Sequence, residues 1–132
     1  MLEFVNPEAW AKPKGYNNGV ILSGSRTLCI AGQIAWDENA KLVGAGDFGA
    51  QFTQALRNVR AVAEAAGGSV ECIGKLTIFV TDKQAYLAAL SEIGAGYREV
   101  FGKHFPAMAL IEVKGLLEEG AMVEIEALAV LE

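Results

Sequence analysis

His104–Phe105–Pro106–Ala107–Met108–Ala109–Leu110–Ile111–Glu112–Val113 is the stretch on which the reading of this chain turns. It opens on the only histidine and a proline, then runs extended. Proline fixes φ and cannot continue a helix, so an element ends before Pro106 and a strand begins after it. Alternation puts Ala107, Ala109, Ile111 and Val113 on one face of that strand and Met108, Leu110, Glu112 and Lys114 on the other. A turn at Leu116–Gly120 leads to a second extended run, Ala121 to Val130. There Val123, Ile125, Ala127 and Ala129 alternate with Met122, Glu124, Glu126, Leu128 and Val130. Glu124 and Glu126 share a face, about 7 Å apart along the strand. Two readings stand for them: a solvated or ion-paired edge face, or a carboxylate held at an interface cleft to orient a water.

Upstream, two segments carry helical periodicity. Asp47 stands as an N-cap before Phe48, Phe52, Leu56, Val59, Ala63 and Ala66, which recur every three or four residues and stop at Gly67–Gly68. The outer face of this helix carries Gln51, Gln54, Arg57, Asn58 and Glu64. Thr81–Asp82 caps a second helix with the stripe Tyr86, Leu90, Ile93, Tyr97 and Phe101, ended by Gly102. Gly94 and Gly96 inside it cost about 1 kcal/mol each relative to Ala, which implies close approach of a neighbour. Between the helices, Ile73–Val80 is a β-branched, apolar strand. Before them, Val20–Ser23 and Thr27–Ile34, joined by Gly24–Ser25–Arg26, read as a β-hairpin. Leu2–Val5 adds a short edge strand, and Lys14–Gly15–Tyr16–Asn17–Asn18–Gly19 is a loop. The order is β-β-α-β-α-β-β, an α+β fold with a mixed sheet. Two helices cover one face of such a sheet.

The chain has 132 residues, the size of a single domain spanning 1–132, and is 52% hydrophobic. A domain this small hides only about two thirds of its surface, so the surplus and the uncovered sheet face imply a subunit interface. Net charge is −5. With no basic stripe and no interleaving of basic and aromatic residues, a nucleic-acid partner is not expected. No apolar run reaches the roughly 18 residues of a membrane span, and the N-terminus lacks the basic start and apolar region of a signal peptide. The expected location is the cytoplasm.

No metal-ligand spacing and no phosphate-loop or nucleophile-elbow motif is present. Cys29 and Cys72 are isolated and read as small hydrophobes. Gly94–Ala95–Gly96 lies within a helix and reads as packing. His104 admits an acid–base role, or a cation complementing the last carbonyls of the preceding helix. Tyr16, in its Gly/Asn loop, either reaches over a neighbouring cleft or packs.

Several segments together form a family pattern: Ile30–Ala31–Gly32–Gln33–Ile34, Gln51-x₂-Gln54-x₃-Asn58, Ala65–Ala66–Gly67–Gly68, Lys75–Asp82, Tyr97–Arg98-x-Val100–Phe101, Phe105–Pro106–Ala107, Glu112–Val113 and Val123–Ala127. Over about residues 14–131 the chain resembles the RidA/YjgF family of reactive-intermediate deaminases, also labelled endoribonuclease L-PSP. The resemblance implies a chorismate-mutase-like fold and a homotrimer whose sheets form a central barrel. It also implies a small-molecule ligand in three intersubunit clefts, and hydrolysis of imines and enamines to keto acids and ammonia without a cofactor. It places the water-orienting glutamate at Glu124, the loop tyrosine at Tyr16, a Gly–Gln pair at Gly32 and Gln33, and backbone polar groups at Leu110. Three positions depart. The family's serine before Gly–Gln is Ala31, an asparagine of the second helix aligns with Gly94, and the arginine that clamps the substrate carboxylate is Met108. An arginine makes two charge-assisted bonds to a carboxylate, whereas methionine offers a polarizable apolar surface. The cleft should therefore favour a less charged, more hydrophobic ligand.

Overall fold

A computed structural model describes residues 2–132. The strands are β1 (Leu2–Val5), β2 (Gly19–Leu22), β3 (Arg26–Gln33), β4 (Ile73–Val80), β5 (Ala107–Glu112) and β6 (Val123–Leu131). The helices are α1 (Phe48–Ala65), α2 (Lys83–Ala88) and α3 (Leu90–Phe101), with a 3₁₀ turn at Val70–Cys72. Strands β3, β6, β4 and β5 lie in that order in one sheet, and β1 pairs with β2 in a separate two-stranded sheet. The β4–β5 pair is parallel and the pairs of β6 with β3 and β4 are antiparallel, giving the mixed sheet the element order implies.

Alternation along β6 sorts its residues. Val123, Ile125, Ala127 and Ala129 are buried on the helix side, with Leu76, Ile78 and Val80 of β4 beside them. Phe52, Leu56 and Val59 of α1 and Ile93, Tyr97 and Phe101 of α3 close that core. Glu124 and Glu126 project from the opposite face, which no helix covers, in register with Phe79 and Thr77.

The caps follow the sequence. The Asp47 carboxylate accepts from Ala50 N at 3.1 Å, and that of Asp82 accepts from Gln84 N at 2.9 Å. Helix α1 ends with Gly67 at φ +92°, where Gly68 N donates to Ala63 O at 2.9 Å. Gly96 is a close-approach site, since a Cβ there would overlap the Thr53 hydroxyl of α1.

Four expectations are corrected. The hairpin of Val20–Ser23 with Thr27–Ile34 does not form: β2 pairs with β1, and β3 pairs with β6. A short run bounded by glycine looks locally like half a hairpin, yet β6 offers β3 a longer ladder. Gly24 then turns the chain against the end of that ladder, where a Cβ would sit 2.6 Å from Leu131 O. The second helix is two helices, broken at Ala89 (φ −108°, ψ 16°). The break lets Tyr86 of α2 meet Phe48 edge-on, with ring centres 6.1 Å apart, while α3 packs along α1. His104 does not complement the last carbonyls of α3; Gly102 N closes that helix on Arg98 O at 3.0 Å. Instead His104 Nε2 donates to Ile73 O at 2.7 Å, tying the start of β4 to the connection before β5.

The fourth correction concerns Gln51, expected on the outer face and in fact fully buried. Its Nε2 donates to Gly44 O and Gly120 O, each at 3.1 Å, and its Oε1 accepts from Met122 N at 2.9 Å. One amide thus joins the loop before α1 to the turn that launches β6. Replacing Gln51 with Leu would leave Gly120 O and Met122 N without this partner, while Gly44 O keeps its bond from Asp47 N. An unsatisfied buried group costs about 1–3 kcal/mol, so Gln51→Leu is expected to lose roughly 2 kcal/mol of stability in a urea titration. A loss under about 1 kcal/mol would show that these groups find other partners.

Candidate functional site

The residues singled out by sequence fall into two groups, one on each face of the four-stranded sheet. The first lies on the uncovered face. Pairing of β3 with β6 shifts between Ile30↔Ala127 and Gln33↔Ile125, so three steps on β3 oppose two on β6. This is a β-bulge at Ala31–Gly32, an irregularity that re-aims side chains locally. Gly32 comes against Glu124 so closely that a Cβ would overlap its carboxylate. Gly32 leaves room for the carboxylate in this position and does not adopt a positive φ. Among the described residues, none donates a hydrogen bond to the Glu124 carboxylate or forms an ion pair with it. It is half-buried, flanked on β6 by buried Val123 and Ile125. Gln33 does not join it: its Nε2 donates to Ala31 O at 3.1 Å and its Oε1 accepts from Trp36 Nε1 at 3.2 Å. Those two bonds brace the bulge.

The second group lies on the helix side. Met108 pairs in register with Leu76 and packs against the core. It lines a cavity of about 570 Å³ with Gly15, Phe52, Ile78, Tyr86, Leu90, Ile93, Gly94, Tyr97, Arg98, Lys103 and Phe105. The walls are mostly apolar. Tyr97 and Phe105 stack with ring centres 5.3 Å apart. The Tyr16 loop is sewn to this wall: Asn17 Nδ2 donates to Phe105 O at 2.6 Å and Asn17 N to Pro106 O at 3.3 Å. Tyr16 itself is exposed. Leu110 turns its side chain to the core in register with Ile78, on the edge strand of the sheet. Val113 N donates to Val80 O at 2.8 Å. Backbone groups alternate sides along a strand, so the N–H and C=O of Leu110 point to the free edge.

Glu124, Ala31 and Gly32 therefore sit together, as do Met108, Leu110 and the Tyr16 loop, while the sheet separates the two groups within one chain. Sequence reading did not single out Asn17, Tyr86 or Phe105. The paired asparagines in the loop were the available signal for Asn17. Tyr86 was legible only as part of a helix stripe, and Phe105 only as part of the stretch around Pro106. Among the described residues, no group of three His, Cys, Asp or Glu is arranged to hold a metal, and no helix is long and apolar enough to cross a membrane.

The family model described as Endoribonuclease L-PSP matches residues 7–131. A RutC family protein of Pyrococcus horikoshii is 36% identical over 98% of both chains. The chain belongs to the RidA/YjgF family. A 2-iminobutanoate/2-iminopropanoate deaminase of Salmonella typhimurium is 41% identical over 87% of this chain and 86% of its own. Among solved structures, the Rid family protein YyfB of Yersinia pestis superposes with a TM-score of 0.88 at 34% identity, covering 98% of each chain. The RidA fold is thus shared along the whole length, and the family includes imine deaminases.

Tyr97 forms the floor between cavity and core. Its hydroxyl donates to His104 O at 2.6 Å, and burial pushes its pKa well above the ordinary value of 10.0. The folded chain keeps this proton where the unfolded chain loses it, so stability falls as pH rises beyond about 10. Tyr97→Phe should cost about 1 kcal/mol at pH 8 through the lost hydrogen bond. It should also flatten the alkaline decline by up to about 1.4 kcal/mol per pH unit. Urea midpoints at pH 8 and pH 11 test both; an unchanged alkaline slope would exclude Tyr97 as a contributor.

Proposed function

We propose that this RidA family member is a homotrimer that hydrolyses C=N bonds of small imine- or enamine-type metabolites, with a substrate preference altered at Met108. The observation that carries the reading is the Glu124–Gly32 contact. A half-buried carboxylate without a partner lies beside a bulge at which Gly32 leaves it room. A carboxylate so held can accept a proton from a water and direct its oxygen at an electrophilic carbon. The bare sheet face that carries it needs a cover, and a second copy of the chain supplies one. In such an assembly, Glu124, Ala31 and Gly32 of one subunit meet the Met108 wall, the Tyr16 loop and the free edge at Leu110 of the next. The Leu110 N–H would then polarise the substrate, as a preorganised donor aimed at developing charge.

The fate of each atom in the proposed reaction is simple. Water adds across the C=N bond with its proton passing by way of Glu124 to the nitrogen, and the resulting carbinolamine expels ammonia to leave a carbonyl. No cofactor takes part. Met108 brings no charge to the wall, so substrates with a carboxylate on the reacting carbon lose the bidentate grip an arginine gives. RNA does not enter this reading: the chain carries a net charge of −5 and no basic stripe.

A second reading, a non-catalytic trimer that binds a small metabolite, is favoured by the apolar lining of the Met108 cavity. One experiment separates the two. Ammonia release is followed from freshly generated imines, including 2-iminobutanoate and neutral imines without a carboxylate. Wild type should turn over the neutral imines, and Glu124→Gln should reduce that rate at least 100-fold, the scale of a positioned acid–base group. Met108→Arg should shift preference toward 2-iminobutanoate by roughly ten-fold or more. Equal rates in wild type and Glu124→Gln would leave only the binding role.

A further inference from the structure

The Met108 cavity carries a cation on its helix wall, while its strand residues Ile78 and Met108 are uncharged. Arg98 lies on α3, one helical turn beyond Gly94, and both line the cavity. The Arg98 side chain folds back along the helix, so that Nη1 lies 3.5 Å from the point a Gly94 Cβ would occupy. At that distance a Cβ would be in ordinary van der Waals contact with the guanidinium, which lies along the helix surface that Gly94 leaves bare. Gly94 therefore differs from Gly96: a Cβ there would meet Arg98 of its own helix and no part of α1. Among the described residues, Arg98 has no ion pair, although the neighbouring Glu99 is engaged by Arg57 at 2.5 Å. Lys103 adds a second positive charge to the same cavity. The remaining lining includes Phe52, Ile78, Tyr86, Leu90, Phe105 and Met108, none of which is charged.

We propose that Arg98, laid along the helix surface beside Gly94, is the anion-recognition residue of this cleft. The ligand it selects is an amphipathic carboxylate with an apolar body against Met108 and its anionic group displaced from the reacting carbon. This rests on the reading of the cleft as the substrate site and names its substrate class. An unpaired guanidinium beside an apolar surface offers a carboxylate two parallel hydrogen bonds, while the chain of the ligand buries against methionine and aromatic rings. Met108 and Arg98 together place the charge on the helix layer and leave the strand wall apolar. An anion bound there lies several bonds away from any group attacked beside Leu110.

Equilibrium binding to the full-length chain tests this without turnover. The probes are hexanoate, its neutral counterpart hexanamide, and pyruvate, measured by calorimetry or ligand-observed NMR. Wild type is expected to bind hexanoate about ten-fold more tightly than either hexanamide or pyruvate. Arg98→Gln should bring hexanoate and hexanamide to within two-fold of each other, Arg98→Lys should keep part of the preference, and Lys103→Gln most of it. Arg98 is exposed, so these variants should fold. The proposal is overturned by equal binding of hexanoate and hexanamide to wild type, by no binding of either at millimolar concentration, or by a preference that persists in Arg98→Gln. Failure of the hydrolase reading appears elsewhere, as equal ammonia release by wild type and Glu124→Gln, and leaves this binding result standing.

Discussion

The register of β6 is the constraint from which the rest of the molecule follows. This strand is hydrogen-bonded along both edges, to β3 on one side and β4 on the other. Its pairs Phe79↔Glu124, Ile78↔Ile125 and Ile30↔Ala127 decide which side chains enter the core. Because the pleat has a period of two, a slip by one residue would drive Glu124 and Glu126 beneath α1 and expel Val123 and Ile125. Burying an unpaired carboxylate is costly enough to forbid that arrangement. The same alternation that stabilises the core therefore holds Glu124 on the open face. Gln51 reinforces it from within, because its amide fixes Met122, the residue before the strand begins.

Against that regular ladder, the irregularities collect near the candidate site. The bulge at Ala31–Gly32 lies beside Glu124, the free edge of β5 exposes the backbone of Leu110, and Arg98 lies along the bare helix surface at Gly94. Each gives up some regular packing or pairing. A bulge leaves a residue out of the ladder, an edge leaves a row of polar groups unpaired, and an interior helix glycine costs about 1 kcal/mol. Core stability alone explains none of them. Each makes room for, or presents a polar group to, something outside the chain's own core. Gly96 is the contrast, a glycine of the same helix whose space is already filled by Thr53 of α1.

Much of this was legible in the residues. The strands at Ile73–Val80 and after Pro106, the caps at Asp47 and Asp82, the edge strand at Leu2–Val5 and the one-sided covering of the sheet all follow from periodicity, and periodicity reports burial directly. What escaped was set by partners far away in sequence. Gln51 is polar and sits one residue before Phe52, so a helical wheel assigns it to the rim; its burial depends on the carbonyls of Gly44 and Gly120. His104 is fixed by Ile73, thirty-one residues earlier. The false hairpin arose because proximity along the chain favours local pairing, while β6, at the far end, is the better partner for β3. The division of the candidate site between two faces was hidden for a related reason. Alternation assigns Met108 and Glu124 to faces of their own strands, but only the pairing through β4 shows that those faces are opposite.

That division has a chemical consequence. A sheet between Glu124 and the Met108 cavity means that one folded chain holds the two halves of the candidate site apart. A ligand in the cavity of a lone chain would meet an apolar pocket and a guanidinium, with no carboxylate to activate water. In the proposed assembly, the uncovered sheet face becomes the surface that delivers Glu124 to a neighbour's cavity. Association, water activation and ligand recognition would then depend on the same alternation in β6. A substitution that loosens the subunit contact would lower hydrolysis without touching a ligand contact. One on the cavity wall, such as methionine in place of arginine, can change the ligand and leave both the assembly and the carboxylate in place. The wall is the part of the design freest to vary, because neither the register of β6 nor the placing of Glu124 depends on it.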